Sequence, residues 1–188
     1  MNPSADDQPE HTLDARNRIV SVNGAWIELM QECPVRVSVS SVIDRSLWDF
    51  VAGIQVRQLW EILFERVRAV GAPIFVPMRA DTPSLRRVWD VELHPLPERG
   101  IRQVFHRVWT ERRPALALLD PSFPRSDRSL PYCSWCNRIQ VRMGAWEEVE
   151  DAQMTLRIDA AAALPALNRS VCDSCKQSLL KTFPARVA

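Results

Sequence analysis

Residues 55–81 read QVRQLWEILFERVRAVGAPIFVPMRAD, and the hydrophobic rhythm changes in the middle of the stretch. Val56, Leu59, Trp60, Leu63, Phe64, Val67 and Val70 recur at steps of three and four, the period of a helix with one buried face. Gly71 stands where a helix would end in a left-handed cap. From Pro73 the period drops to about two, through PIFVPMRAD, then SLRRVWDVELHPLPE (84–98), then GIRQVFHRVWTER (100–112). Asp-Thr-Pro and Glu-Arg-Gly turns join the three segments, so they are predicted to form adjacent strands of a sheet. Trp89, Val91 and Leu93 set the phase of the second strand, and a long helix at 55–70 lying on a sheet at 73–109 makes an α+β fold.

Outward from this core the signals are weaker. Residues 1–15 are acidic and polar and are expected to be a loose lead. RNRIVSVNGAWIELM (16–30) suggests a strand, an Asn23-Gly24 turn, and a short strand or amphipathic helix starting near Trp26. Ser46 is a candidate cap for a short turn carrying Trp48. Residues 113–130 are rich in Pro, Ser and Arg and are expected to be a linker with one packed apolar segment. The expected division is thus a lead at 1–15, a domain at 16–112, a linker at 113–130 and a cysteine module at 131–188.

That module holds CSWC at 133–136 and CDSC at 172–175, with 35 residues between Cys136 and Cys172. Each C-x-x-C turn can place two sulfurs on one side, and Cys133, Cys136, Cys172 and Cys175 together match a four-thiolate structural Zn(II) site. Closing the intervening loop costs roughly 3 kcal/mol of chain entropy. Zinc coordination in small fingers is worth on the order of 10 kcal/mol or more. An iron–sulfur cluster would use the same ligands, two disulfides would need an oxidising compartment, and a redox pair would leave one C-x-x-C idle. A closed shell of four sulfurs makes the metal scaffold and not catalyst. Cys33, beside Pro34, reads as a small buried hydrophobe.

Composition excludes more than it identifies. The 188 residues carry 24 Lys and Arg against 23 Asp and Glu, a formal net charge of +1, which gives no general attraction to nucleic acid or acidic membranes. Arg138, Arg142, Arg157 and Arg169 could form a basic patch on the module, but Glu147, Glu148, Glu150 and Asp151 lie among them. No secretory leader pattern or long apolar run is present, so a cytoplasmic protein without membrane contact is expected. With five glycines there is no phosphate-binding loop, and no hydrolase or metalloprotease motif occurs. His94 and His106 are the histidines of the sheet and the only candidates for a small enzyme site; a non-enzyme is expected. Seven tryptophans stand out. Four of them, Trp48, Trp60, Trp89 and Trp109, together with Phe64, could line an apolar cavity between helix and sheet.

The order RIVSVNGAWIELM, VIDRSLWDFVAG, long helix, PIFVPMRAD and two further strands resembles the PAS fold, a sensor domain with an antiparallel sheet curved over short helices and one longer helix. Asp44 stands where many members have glycine. The tail, CSWC followed by a tryptophan and a final C-x-x-C, is similar to cysteine-containing tails of bacterial signalling proteins. The resemblance covers about residues 16–183. It implies a sensory or regulatory protein with a pocket between helix and sheet for an unidentified small apolar ligand. The outer sheet face would then serve a homodimer or a partner signalling protein. The long helix carries no histidine to ligate haem, and the flavin-binding cysteine motif of light sensors is missing. No kinase, cyclase or receiver domain occurs within the 188 residues, so output by protein binding is expected.

Overall fold

A computed structural model describes residues 8–32, 38–158 and 163–182 of the chain; Cys33 lies outside them. Its centre is α2, Ile54–Val70, which ends at Gly71 with φ +70° and buries Val56, Leu59, Trp60, Leu63, Phe64 and Val67. That face is the one the three- and four-residue spacing marks, except that Val70, in the last turn, remains exposed.

The helix packs on a five-stranded antiparallel sheet made of β1 (Glu10–Leu13), β2 (Ile19–Val22), β3 (Ile74–Arg79), β4 (Leu85–Pro95) and β5 (Ile101–Arg112). Their spatial order is β2-β1-β5-β4-β3. On the inner face Leu13, Val76, Val91, Leu93 and Ile101 are buried with the apolar face of α2. Trp89 follows the same phase. Burial of each large aliphatic side chain contributes about 1.5–3 kcal/mol before entropy is subtracted.

Two expectations change here. Residues Glu10–Leu13, placed by the sequence in a loose lead, form a strand between β2 and β5, held by a partner about 90 residues away. The Asn23-Gly24 pair is no hairpin turn. Asn23 caps the helix α1 (Gly24–Gln31), its side-chain oxygen accepting the Trp26 N–H at 2.9 Å, and Trp26 is buried below. Short 3-10 turns at Val39–Ser41 and Leu47–Asp49 complete the helical side, with Ser46 capping the second.

A second sheet, in the order β8-β7-β6-β9, comprises β6 (Arg125–Cys133), β7 (Ile139–Arg142), β8 (Ala145–Glu147) and β9 (Leu164–Ser170). It carries α3 (Val149–Thr155), and α4 (Asp173–Thr182) follows it. The β6–β9 pairing is parallel, so the later part of the expected linker is a strand whose partner lies about 40 residues downstream. Leu118, Leu130, Tyr132, Ile139, Val149, Ala152 and Leu164 form the core of this unit.

The cysteine knot does not belong to that second core. Cys133, Trp135, Cys172 and Leu179 are buried in one cluster with Leu59, Trp60, Leu63 and Phe64. At Gly53, the residue before α2, φ is +90° and a Cβ would lie 2.4 Å from the Arg169 carbonyl oxygen, so the helix entry and β9 meet backbone to backbone.

Candidate metal centre

Both C-x-x-C turns are built by short backbone bonds. Cys133 ends β6, its N–H donating to the Arg138 carbonyl and its carbonyl accepting from the Asn137 N–H, each at 2.8 Å. Asn137 takes the left-handed conformation, φ +58°, that lets the chain reverse. Cys172 precedes α4 and Cys175 lies in its first turn, where the Lys176 N–H donates to the Cys172 carbonyl at 3.0 Å. Two bonds knit the turns together, Ser134 N–H to the Ser170 carbonyl at 2.9 Å and Cys172 N–H to Cys133 Sγ at 3.3 Å.

The four sulfurs all lie within 4.8 Å of one another, and Cys136 Sγ is 3.9 Å from Cys172 Sγ. A tetrahedral Zn(II) with Zn–S of about 2.3 Å requires S···S separations of about 3.8 Å. The donor set therefore suits a structural Zn(II) held by Cys133, Cys136, Cys172 and Cys175. Electrostatics point the same way. Hydrogen bonds from Cys136 and Cys175 hold the Cys133 thiol far below its ordinary value, while the bond to Cys133 pushes Cys136 up to about 12 and drives Cys175 still higher. One thiolate suppresses its neighbours, so full ionisation of the cluster needs a cation among them. All four positions of such an ion are filled by protein, leaving none for substrate.

Trp135, between the first two cysteines, docks the knot. Its ring lies 4.9 Å from that of Trp60, which in turn lies 5.6 Å from Phe64, and Phe64 stacks on Trp48 at 5.8 Å. The Arg79 N–H donates to the Trp135 carbonyl at 2.8 Å. Asn137, 3% exposed, accepts the Asp81 N–H at 2.8 Å. An ionic seam continues the junction. The Asp81 carboxylate, fully buried, pairs with Arg79 and Arg113; Arg79 also reaches Glu148 at 2.7 Å, and Arg86 and Arg113 meet Glu150 at 3.0 and 2.9 Å. Burial acts upward on Glu148, but hydrogen bonds from Arg79 and Arg138 hold its carboxyl below the usual range.

The sequence finds the four cysteines and misses this seam. Asp81 reads there as a turn former and Arg87 as a surface or pairing cation; the structure makes Arg87 a pairing one, 3% exposed and 2.9 Å from Glu32. The signal for Arg87 is its phase, shared with Trp89, Val91 and Leu93 on β4. For Asn137 the only local hint is its place directly after CSWC.

The five residues expected around an apolar cavity do not all stand on the same side of the first sheet. Trp60 and Phe64 fill the core against each other, with Trp48 partly buried beside them. Trp89 has the guanidinium groups of Arg87 and Arg107 over its ring, both of them reaching Glu32 just after α1. Trp109 is 45% exposed, opposite Val88 on the outer sheet face. His94 and His106 are on that outer face as well, each against one oxygen of Glu92 at 3.0 and 2.9 Å. His11, from the expected lead, is buried beside Trp26 and Phe105. Desolvation lowers its pKa to about 4, a fall that the bond to Gln103 only partly opposes.

No family model and no curated protein matches the chain. Among solved structures it is similar to the PAS domain of BvgS from Bordetella pertussis, at 15% identity and a TM-score of 0.39, over 54% of this chain and 73% of that one. It is also similar to the PAS domain of an HTR-like protein from Haloarcula marismortui, at 15% identity and a TM-score of 0.36, over 54% and 86%. The PAS-like architecture rests on the molecule itself: a five-stranded antiparallel sheet, short helical turns and one long helix across its inner face.

Proposed function

We propose that this protein is a non-catalytic regulator: a PAS-like body, braced by a zinc tetrathiolate, that passes a signal by binding a second copy of itself or a partner signalling protein. The observation that carries the reading is the outer face of the first sheet, where Phe75, Val108 and Trp109 are exposed together. Apolar side chains gathered on one sheet face mark an interaction surface. The bacterial and cytoplasmic setting rests on the resemblance of the cysteine tail and on the reduced thiols that zinc requires. Among the described residues no helix is long and apolar enough to cross a membrane.

An enzyme is disfavoured by the site chemistry. His94 and His106 sit on the outer sheet face with Glu92 between them, and among the described residues no nucleophile is placed against either. A nucleic-acid reader is disfavoured too, since Arg138 is spent on Glu148 at 2.9 Å. Light scattering on the zinc-loaded protein tests the proposal. Association that is weakened by Trp109→Glu and Phe75→Glu is expected. A strict monomer at 100 μM or so, whose outer-face variants also leave partner capture unchanged, would count against it.

A further inference from the structure

A cleft of about 320 Å³ opens where the second sheet meets the segment before it, lined by residues other than the four cysteines and the exposed side chains of the first sheet. Tyr132 of β6 and Arg169 of β9 are directly paired across the parallel strands, and the Arg169 guanidinium lies over the Tyr132 ring at 4.6 Å. Stacking holds a flat guanidinium in place at little entropic cost on binding. Arg169, exposed at the mouth of the cleft, has no carboxylate partner among the described residues, and the hydroxyl of Tyr132, a residue 2% exposed, makes no hydrogen bond among them.

The other charges of the cleft are committed. Arg125 donates to the carbonyls of Leu118, Asp120 and Pro165. Asp81 accepts from Arg79 and, at 3.1 Å, from the Arg87 N–H, and pairs with Arg113. What is left over among the described side chains is one fork of guanidinium donors and one phenol donor. Around them the wall is apolar, supplied by Leu118, Leu119, Pro121 and Leu167.

From this we infer that the cleft is a binding site for a small organic carboxylate, its carboxylate bridging Arg169 and the Tyr132 hydroxyl and its apolar body lying on the leucine and proline wall. Phosphate fits less well. Two donor groups replace little of the hydration shell of a dianion, and the apolar wall replaces none. Tyr132 immediately precedes Cys133, so an occupied cleft and the metal centre share strand β6.

The test uses full-length, zinc-loaded protein titrated calorimetrically with sodium benzoate, with acetate and inorganic phosphate at matched ionic strength as the other arms. Saturable benzoate binding is expected, with acetate weaker and phosphate not saturable. Charge-assisted hydrogen bonds of this kind imply at least about a tenfold loss of affinity in Arg169→Gln, with zinc stoichiometry unchanged. Leu167→Glu, which sets a carboxylate in the wall, should abolish binding and serves as a second variant independent of the stacked pair. No saturable benzoate binding, undiminished affinity in Arg169→Gln, or phosphate binding as well as benzoate would each overturn the assignment.

Discussion

Replacing Trp135 by alanine in the zinc-loaded protein asks whether the knot and the sensor-like body are one structure. Trp135 is 4% exposed and packs on Trp60 at 4.9 Å. Removing a buried tryptophan costs about 4 kcal/mol. Its indole Nε1 is buried without a partner, so deletion also relieves about 1 kcal/mol of desolvation, leaving about 3 kcal/mol net. For a chain of this size each kcal/mol moves the midpoint by about 2–4 °C, so a fall of about 6–12 °C is expected. Thermal melts followed both by circular dichroism and by zinc release to a coloured chelator should show the two signals falling together, because Cys133, Cys172 and Leu179 share a core with Leu59 and Phe64. Zinc release shifted to lower temperature, with the dichroism transition unmoved, would refute the shared core and restore a free-standing module.

Cys172→Ser should abolish stoichiometric zinc, near one per chain in the parent by elemental analysis, and should lower the single transition of the whole chain; recovery of iron with a brown colour would replace zinc by a cluster. His11 provides a pH test. Because its native pKa of about 4 is below the unfolded value of about 6.5, its contribution is complete above pH 6.5 and is lost as pH falls toward 4, by about 2 kcal/mol between pH 7 and 5. Urea midpoints of the parent and His11→Gln should therefore diverge in slope over that window, the acid loss of zinc being common to both. Gly53→Ala should cost at least about 2 kcal/mol in a urea melt, since a Cβ would strike the Arg169 carbonyl at a positive φ, while Gly24→Ala, with open space around it, stays within about 0.5 kcal/mol. Asp81→Asn leaves Arg79 and Arg113 short of a buried counter-charge and is expected to lower stability by about 3 kcal/mol in the same assay, with a change below 1 kcal/mol arguing against the ionic seam.

What the sequence made legible is what neighbouring residues decide. The α2 face, the phase of β4 and the four thiols are all local patterns, with spacings of two, three or four. What escaped depends on distant partners. β1 is four residues of mixed polarity that become a strand because β5 offers them an edge. β6 begins in RSDRS, which has no apolar alternation, and is made a strand by β9. Two placements around the expected cavity also escaped: Trp109 stands on the outer sheet face, and Trp135, counted as part of the metal knot, packs on Trp60.

The sharing of one core between residues 59–67 and 172–179 also governs how the chain must be made. During synthesis α2 is finished about 110 residues before Leu179 arrives to complete the cover that Val76, Val91, Leu93 and Ile101 begin. At about 5–20 residues per second that is roughly 6–20 seconds. Over that interval the core around Trp60 lacks Trp135, Cys172 and Leu179, and the arrival of Cys172 and Cys175 with a metal ion would complete it. Zinc supply would then act on the yield of folded protein at the ribosome. Nascent chains arrested near residue 150 should be cut by protease within α2, and full-length arrested chains only when zinc is withheld.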